Sequence, residues 1–226
     1  VSVAVDDYTI DVSANWSGEN DYSSYTIAAG LGAELFSKTT SLSLGYSFTD
    51  SNVGRASDDD FERDIDSHTI TASVTQMLTP ELLLQMGYFL GQLDGFQSSP
   101  YRNSFLVDGT RSFERVPDSR TRHAVSARLR WAPLSNFFIG GDYRLYVDTW
   151  GIDSHTMIGS VTHNPFWWFE WRIQQRFYVQ SGADFYEERY EQFKTYMTAD
   201  RELGPLWSSL TGVKVTFRPD FEDLPF

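Results

Sequence analysis

Apolar and polar residues alternate one for one along most of this 226-residue chain. The clearest case is the run SLSLGYSF, in which Leu42, Leu44, Tyr46 and Phe48 share one side while serine and glycine occupy the other. Successive side chains of a β-strand point to opposite faces, so a period of two predicts strands with one apolar and one polar face. Such strands fit a soluble sheet with one wet side, or a membrane barrel with a wet interior.

The segment 117–156 shows the pattern in a hairpin. Two alternating runs, 122–131 and 137–150, flank the short turn 132–136. In the second run, aromatic and aliphatic residues fill one face and charged residues of both signs fill the other. The sequence therefore predicts a hairpin with one apolar and one charged face.

The lengths of the connections favour a membrane barrel over a soluble sandwich. Ten strands are predicted, at 8–14, 25–35, 41–48, 68–77, 82–93, 122–131, 137–150, 155–163, 167–180 and 207–217. Short turns (36–39, 78–81, 132–136 and 164–166) alternate with loops that are long except at 151–154 (15–24, 49–66, 94–121 and 181–204). Short turns on one side and long loops on the other are typical of outer-membrane barrels, as is an even strand number that starts and ends on the turn side.

The predicted fold is all-β: an antiparallel up-and-down transmembrane β-barrel with about ten strands in this chain, as a whole barrel or as part of a larger one. Residues 1–217 form the barrel and residues 218–226 a short acidic tail. Aromatic residues, 16% of the chain, are expected at both membrane interfaces, where amphipathic rings are favoured. They are Trp131, Phe137, Phe166 and Trp167 on the turn side, and Trp16, Tyr22, Phe48, Tyr146 and Trp150 on the loop side.

Composition excludes several functions. The chain has no cysteine, so disulfides, thiolate metal sites and cysteine nucleophiles are excluded. The net charge of −13 argues against nucleic acid as a partner. No cofactor-binding motif is present, and no cofactor is predicted.

Five segments carry a resemblance to a known family. They are PYRN (100–103), PDSRTRHAV (117–125), DYRLYVDTWGIDSHT (142–156), QSGADFY (180–186) and MTADREL (197–203). Together they resemble domain of unknown function 3570, an uncharacterised family of bacterial outer-membrane proteins, over about residues 1–217. The resemblance implies a barrel in the outer membrane of a Gram-negative-type cell, usually with further strands ahead of this region, and it supplies no catalytic residue.

Charged residues are expected to line the lumen, because they alternate with the apolar wall positions. This inward set is Arg122, Arg128, Arg130, Asp142, Arg144, Asp148, Glu170, Arg172, Arg176 and Lys214, with Asp11 and Glu34 further round. Neighbouring strands should bring opposite charges together, for example Asp142 with Arg128 or Arg130. In a narrow barrel such groups would pair and plug the interior. In a larger barrel they would line a water-filled passage with a mixed field.

The stretch 57–67 is rich in carboxylates that could hold Ca²⁺. The candidate ligands are Asp58, Asp59, Asp60, Glu62 and Asp64. EF-hand spacing is absent, so a solvated acidic loop is favoured and no metal is predicted. The arginines of the loop 94–122 could form ion pairs with these carboxylates, or could contact lipopolysaccharide phosphates.

Three Asp/His pairs near the predicted outer rim raise the alternative of a rim protease. They are Asp66/His68, Asp118/His123 and Asp153/His155. The alternation puts these histidines on the apolar outer wall, away from the lumen, so no catalytic residue and no enzymatic activity are predicted.

The sequence thus predicts a passive or partner-dependent conduit or a structural envelope protein. An interaction scaffold is the alternative: its loops would bind a surface partner, or its lumen would sheath a periplasmic electron-transfer protein. The expected surroundings are outer-membrane lipid and lipopolysaccharide, and a protein partner is expected only in the lumen or at the loops.

Overall fold

The computed structural model describes residues 1–218, without the side chain of Asp59, and this part of the chain is almost entirely β-structure. Its thirteen strands are β1 Ser2–Val5, β2 Tyr8–Gly18, β3 Tyr22–Leu35, β4 Thr40–Arg55, β5 Asp58–Thr79, β6 Leu82–Gly95, β7 Asn103–Phe105, β8 Arg111–Phe113, β9 Ser119–Leu134, β10 Phe137–Asp148, β11 Asp153–Phe166, β12 Phe169–Gln180 and β13 Leu206–Phe217. A single 3-10 turn, Arg201–Leu203, precedes β13. Within residues 1–218, no helix is long and apolar enough to cross a membrane.

Eleven of these strands form one antiparallel sheet in the order β1-β2-β3-β4-β5-β6-β9-β10-β11-β12-β13. Each strand pairs with the next one along the chain, apart from the small β7–β8 hairpin inserted between β6 and β9. The predicted all-β, up-and-down antiparallel architecture is therefore confirmed. Over the described residues β1 and β13 do not pair with each other, so the sheet has two free edges.

Several predicted boundaries are wrong. The predicted loop 15–24 is mostly strand, since β2 continues to Gly18 and β3 begins at Tyr22. The sheet has eleven strands because the four-residue β1, too short to show a period, turns into β2 at Asp6, whose φ is 51°. The predictions of an even number of strands and of a first strand that starts on the turn side are therefore wrong. The predicted acidic loop 49–66 is the outer part of the β4–β5 hairpin, where the ladder continues through Val53↔Arg63 although both faces are polar. Asn164 and Pro165 lie inside β11, at a register irregularity between His163 and Phe166, and do not form a turn.

The two faces of the sheet differ as the alternation predicts. Large apolar side chains such as Ile27, Leu44, Met157 and Phe177 are exposed on one face. In a soluble sheet such a face would be covered by another layer. No second layer covers it among residues 1–218, so this surface is suited to contact lipid.

The packed core lies outside the sheet. Of the buried apolar side chains only Ala124 belongs to a strand; the others are Leu106, Val116, Trp150, Ile152, Ala183, Tyr190 and Met197. They form two clusters in which the segments 96–118 and 181–205 pack on each other and on the β10–β11 turn. We call these two segments the cap.

Candidate functional site: the charged face and its cap

The strand registers place all ten predicted inward residues on one face of the sheet. Arg128 lies opposite Asp142, Asp142 opposite Ile158, and Ile158 opposite Arg176. Arg172 lies directly opposite Lys214. Residues paired across an antiparallel ladder share a face, so these links carry the assignment across β9 to β13.

Asp142 is the centre of an ion cluster on this face. Its carboxylate accepts hydrogen bonds from Arg128 Nε at 2.7 Å and from Arg130 Nη2 at 2.9 and 3.0 Å. The sequence suggested one arginine or the other, and the structure uses both. Arg128 Nη1 also donates to Gln85 on β6 at 3.3 Å, which links three adjacent strands.

Asp148 belongs to the same face but is fully buried, and so does not line an open surface. It accepts hydrogen bonds from Arg120 Nε at 2.9 Å and from the hydroxyl of Tyr146 at 2.7 Å. The backbone amides of Trp150 and Ile152 donate to its other oxygen at 2.9 and 3.1 Å. Asp148 therefore fixes the β10–β11 turn, on which the cap packs.

The prediction that Trp150 lies at the loop-side membrane interface is wrong. Its side chain is only 4% exposed, its indole N–H donates to the carbonyl of Ser119 at 3.0 Å, and the Arg120 guanidinium lies 4.1 Å from its ring centre. Tyr22 is also on the inner side, with its hydroxyl donating to Ser51. The sequence did not show this because residue 150 follows the last position of β10, where alternation no longer fixes the direction of a side chain.

The remaining charged residues of the face are less constrained. Glu170 pairs with Arg218 at 3.1 Å, and Arg122 lies beside the Phe89 ring. In the described part of the chain five cations of this face have no carboxylate within ion-pair distance: Arg122, Arg144, Arg172, Arg176 and Lys214. The structure describes nothing of the predicted tail beyond Arg218.

Hydrogen bonds donated to a buried carboxylate hold the two segments of the cap together. The side chain of Glu114 is 2% exposed; it accepts hydrogen bonds from the amide of Ser99 at 2.7 Å and the hydroxyl of Thr198 at 2.6 Å. Arg102 bridges Glu114 and Asp200. The backbones of Arg115 and Met197 exchange two hydrogen bonds, at 3.0 and 2.7 Å.

Tyr190 completes the junction of the two segments. It is fully buried; its hydroxyl donates to the carbonyl of Phe185 or Thr198 and accepts from the amide of Thr198 at 2.7 Å. Burial raises the pKa of this phenol, so the hydroxyl stays protonated well into the alkaline range. The sequence has no periodic pattern that predicts the pairing of the two segments or the hydrogen-bond partners of Glu114 and Tyr190.

The cap lies on the charged side of the sheet. Gln180, an inward residue of β12, donates to the carbonyls of Glu202 and Gly204 at 2.8 and 2.7 Å. At the other side, the amide of Ala56 donates to the Tyr101 hydroxyl at 2.8 Å, and that hydroxyl donates to Asp21. The cap thus reaches from β12 to the tips of the β2–β3 and β4–β5 hairpins, across the loop-side end of the charged face.

The candidate cation ligands are spread along a strand. Asp58, Asp60, Glu62 and Asp64 lie at every second position of β5, across an irregularity of the β4–β5 ladder that falls between Arg63 and Asp58. Asp58 contacts Arg55 at 3.6 Å, and the Asn52 amide donates to Glu62 and Asp64. The Asp59 side chain lies outside the described residues. Over the rest of residues 1–218 no cluster of three potential metal ligands occurs.

The three histidines of the predicted Asp/His pairs lie on the apolar face, each beside a tyrosine. The Nδ1 atoms of His68, His123 and His155 lie 2.8, 2.8 and 2.7 Å from the hydroxyls of Tyr46, Tyr88 and Tyr143, respectively. The same diagonal arrangement occurs in three successive strand pairs. Across residues 1–218 none of the three histidines pairs with its predicted aspartate, so a protease dyad is not formed.

Comparison with known proteins gives a family and a fold. The family described as "Protein of unknown function (DUF3570)" matches residues 1–219. No curated protein matches the sequence. The ferric-catecholate import receptor Fiu from E. coli K12, in its open form, is similar in structure, with a TM-score of 0.51 and 10% identity.

The match with the Fiu receptor covers 94% of this chain and 47% of that chain, so the present chain spans about half the length of the receptor. At this identity the likeness concerns the fold alone. The NanC porin also aligns, over 93% of this chain and all of its own, at a TM-score of 0.37 and 10% identity.

Proposed function

This chain belongs to the DUF3570 family of proteins of unknown function, and we propose that it forms the wall of an outer-membrane β-barrel that conducts small solutes through a mouth narrowed by the cap. In this arrangement the apolar face meets lipid, the charged face lines the lumen, and the short turns face the periplasm. The lumen-lining role of the inward residues is part of this proposal.

One observation carries the proposal: the cap lies on the charged side of the sheet, across its loop-side end. A loop that only decorated the surface could fold to either side. Gln180 on β12 and Tyr101 beside Ala56 instead hold the cap over the face from two distant strands. A structured constriction over a polar, water-filled interior is what narrows many membrane pores.

Conductance in planar bilayers tests this function. We expect the full-length protein to give small, discrete conductance steps. Replacing residues 98–116 by a short glycine–serine linker removes one segment of the cap, and larger steps are expected. Substituting Ser135, at the exposed tip of the short β9–β10 turn away from the cap, is the control and should leave step size unchanged. Absence of steps from both the native protein and the shortened variant contradicts the conduit.

A second candidate, a scaffold for a protein partner, is favoured by the outer surface of the cap. Phe105, Val107, Phe113 and Phe193 are exposed there. Exposed apolar groups clustered on a polar surface are typical of interaction sites. Purification from native membranes without a stoichiometric partner would count against the scaffold.

We propose no enzymatic role. The three rim histidines each lie beside a tyrosine on the apolar face, where a peptide in the lumen would not reach them. Peptide cleavage that is abolished by His155→Ala would overturn this part of the proposal.

A further inference from the structure

We infer that the passage prefers anions, and that Arg144, Arg172, Arg176 and Lys214 set this preference. The inference rests on the proposed conduit and adds to it the class of solute. It comes from the distribution of charge on the two halves of the inward face.

The half of the face formed by β9 to β13 carries an excess of positive charge. Of the ten inward residues there, seven are cations and three are carboxylates. Each carboxylate has its own partner: Asp142 holds Arg128 and Arg130, Asp148 holds Arg120, and Glu170 holds Arg218. Five cations are left without a carboxylate among the described residues: Arg122, which lies beside the Phe89 ring, and Arg144, Arg172, Arg176 and Lys214.

Two of these cations repel each other in the ladder itself. Arg172 and Lys214 are directly opposite on β12 and β13, a placement that is destabilising for like charges. Both side chains are exposed on the inward face, and Arg172 donates only to Gln174 at 3.0 Å. An anion between them would remove the repulsion.

The other half of the inward face does not compensate this charge. On β4 to β6 its positions below the cap are mostly serine, threonine and glycine, and the hydroxyls bond each other, as Ser43 does with Ser73 at 2.7 Å. The carboxylates further round are Asp11 and Glu34, and Glu34 pairs with Lys38 at 2.8 Å. A solute in the lumen would therefore face a neutral, hydroxyl-lined wall on one side and a basic wall on the other.

This placement runs against the composition of the chain, whose net charge is −13. Many of the carboxylates lie instead in the β4–β5 tip and in the cap. Cations collected on one wall, in contact with a low-dielectric barrel, concentrate anions near them and exclude cations. Rings of arginine and lysine are the means by which pores select anions.

Reversal potentials in a potassium chloride gradient test the inference. We expect the full-length protein in planar bilayers to pass chloride more readily than potassium. Replacing Arg144, Arg172, Arg176 and Lys214 together (R144Q, R172Q, R176Q and K214Q) should bring the permeability ratio toward unity while steps persist. The matched control, R128Q with D142N, removes one charge of each sign from the same face and should preserve the preference for chloride.

The outcomes separate the inference from the proposed function. Steps that favour potassium, or a quadruple variant that keeps the native preference for chloride, overturn the anion inference and leave the conduit standing. A complete absence of steps contradicts the conduit itself. Far-ultraviolet circular dichroism of each variant verifies that the barrel has folded, and the separate substitutions R176Q and K214Q provide milder versions if the quadruple variant does not fold.

Discussion

At the scale of single residues, Gly151 shows most directly how the wall constrains the cap. It lies in the turn after β10 with a φ of 85°, a left-handed conformation that side chains rarely adopt. A Cβ at this position would also collide with the carboxylate of Asp184 in the cap. Wall and cap therefore meet at a position that accommodates only glycine.

We expect Gly151→Ala to lower the free energy of unfolding by about 1–3 kcal/mol, because it adds backbone strain and displaces Asp184. The matched control is Gly141→Ala in the same hairpin, where a Cβ meets nothing within 4 Å and φ is not positive. Thermal unfolding in detergent micelles measures both variants. Equal losses in the two would contradict the role given to Gly151.

Glu114→Ala should open the cap. The substitution leaves the Ser99 amide, the Thr198 hydroxyl and Arg102 without their shared acceptor in a buried site, at a cost of about 2–3 kcal/mol. Faster proteolysis within 96–118 and 181–205 is the expected readout. Asp118→Ala, an exposed carboxylate near the same segment, is the control and should be cut at the native rate.

The sequence did not predict the burial of Asp148 and Trp150. Alternation assigned Asp148 to the correct face, and it could not show that a turn folds over the side chain. Trp150 was placed at the membrane interface because aromatic residues are favoured there. In the structure it is buried, since the Arg120 guanidinium and the Ser119 carbonyl draw it inward.

At the scale of elements, strands were far more predictable than the segments that join them. Each of the ten predicted runs overlaps a strand, because one face of the strand is apolar, although the bounds differ at most ends. The outer half of the β4–β5 hairpin was missed because both of its faces are polar there. The cap was missed as a folded unit because its order comes from contacts such as that between Glu114 and Thr198, which lie 84 residues apart.

The contact between the cap and the hairpin tips should depend on pH. The hydrogen bond donated to Asp21 raises the pKa of the Tyr101 hydroxyl above its ordinary value of 10.0. The contact is then fully present below that ordinary value and is lost as the pH rises through the raised one. Hydrogen exchange of residues 96–105 should accelerate in this alkaline range. In the Tyr101→Phe variant, the amides of residues 96–105 should exchange faster already at neutral pH. Their exchange should no longer show the acceleration that the loss of the Tyr101–Asp21 contact causes at high pH.

At the scale of the whole molecule, the sheet and the cap have opposite environments. Trp131 lies on the exposed apolar face and Trp150 in the buried core of the cap. The sequence predicted the first environment from its period of two. It could not predict the second, and it also left open whether the wall belongs to a barrel of ten strands or a larger one.

Brominated lipids should distinguish these environments by fluorescence quenching. In the reconstituted protein, a variant that keeps only Trp131 should be strongly quenched, because its ring would contact lipid. A variant that keeps only Trp150 is the internal control and should be quenched weakly. Strong quenching of Trp150 would mean that the cap does not cover it.

The long separation of the partners in the cap also sets an order of assembly. Arg102 and Asp200 lie 98 residues apart, whereas each wall strand pairs mostly with the next one along the chain. Local pairings form before contacts that must close a long stretch of chain. The proposed conduit would therefore pass through a stage of assembly in which the wall is paired and the mouth is still open.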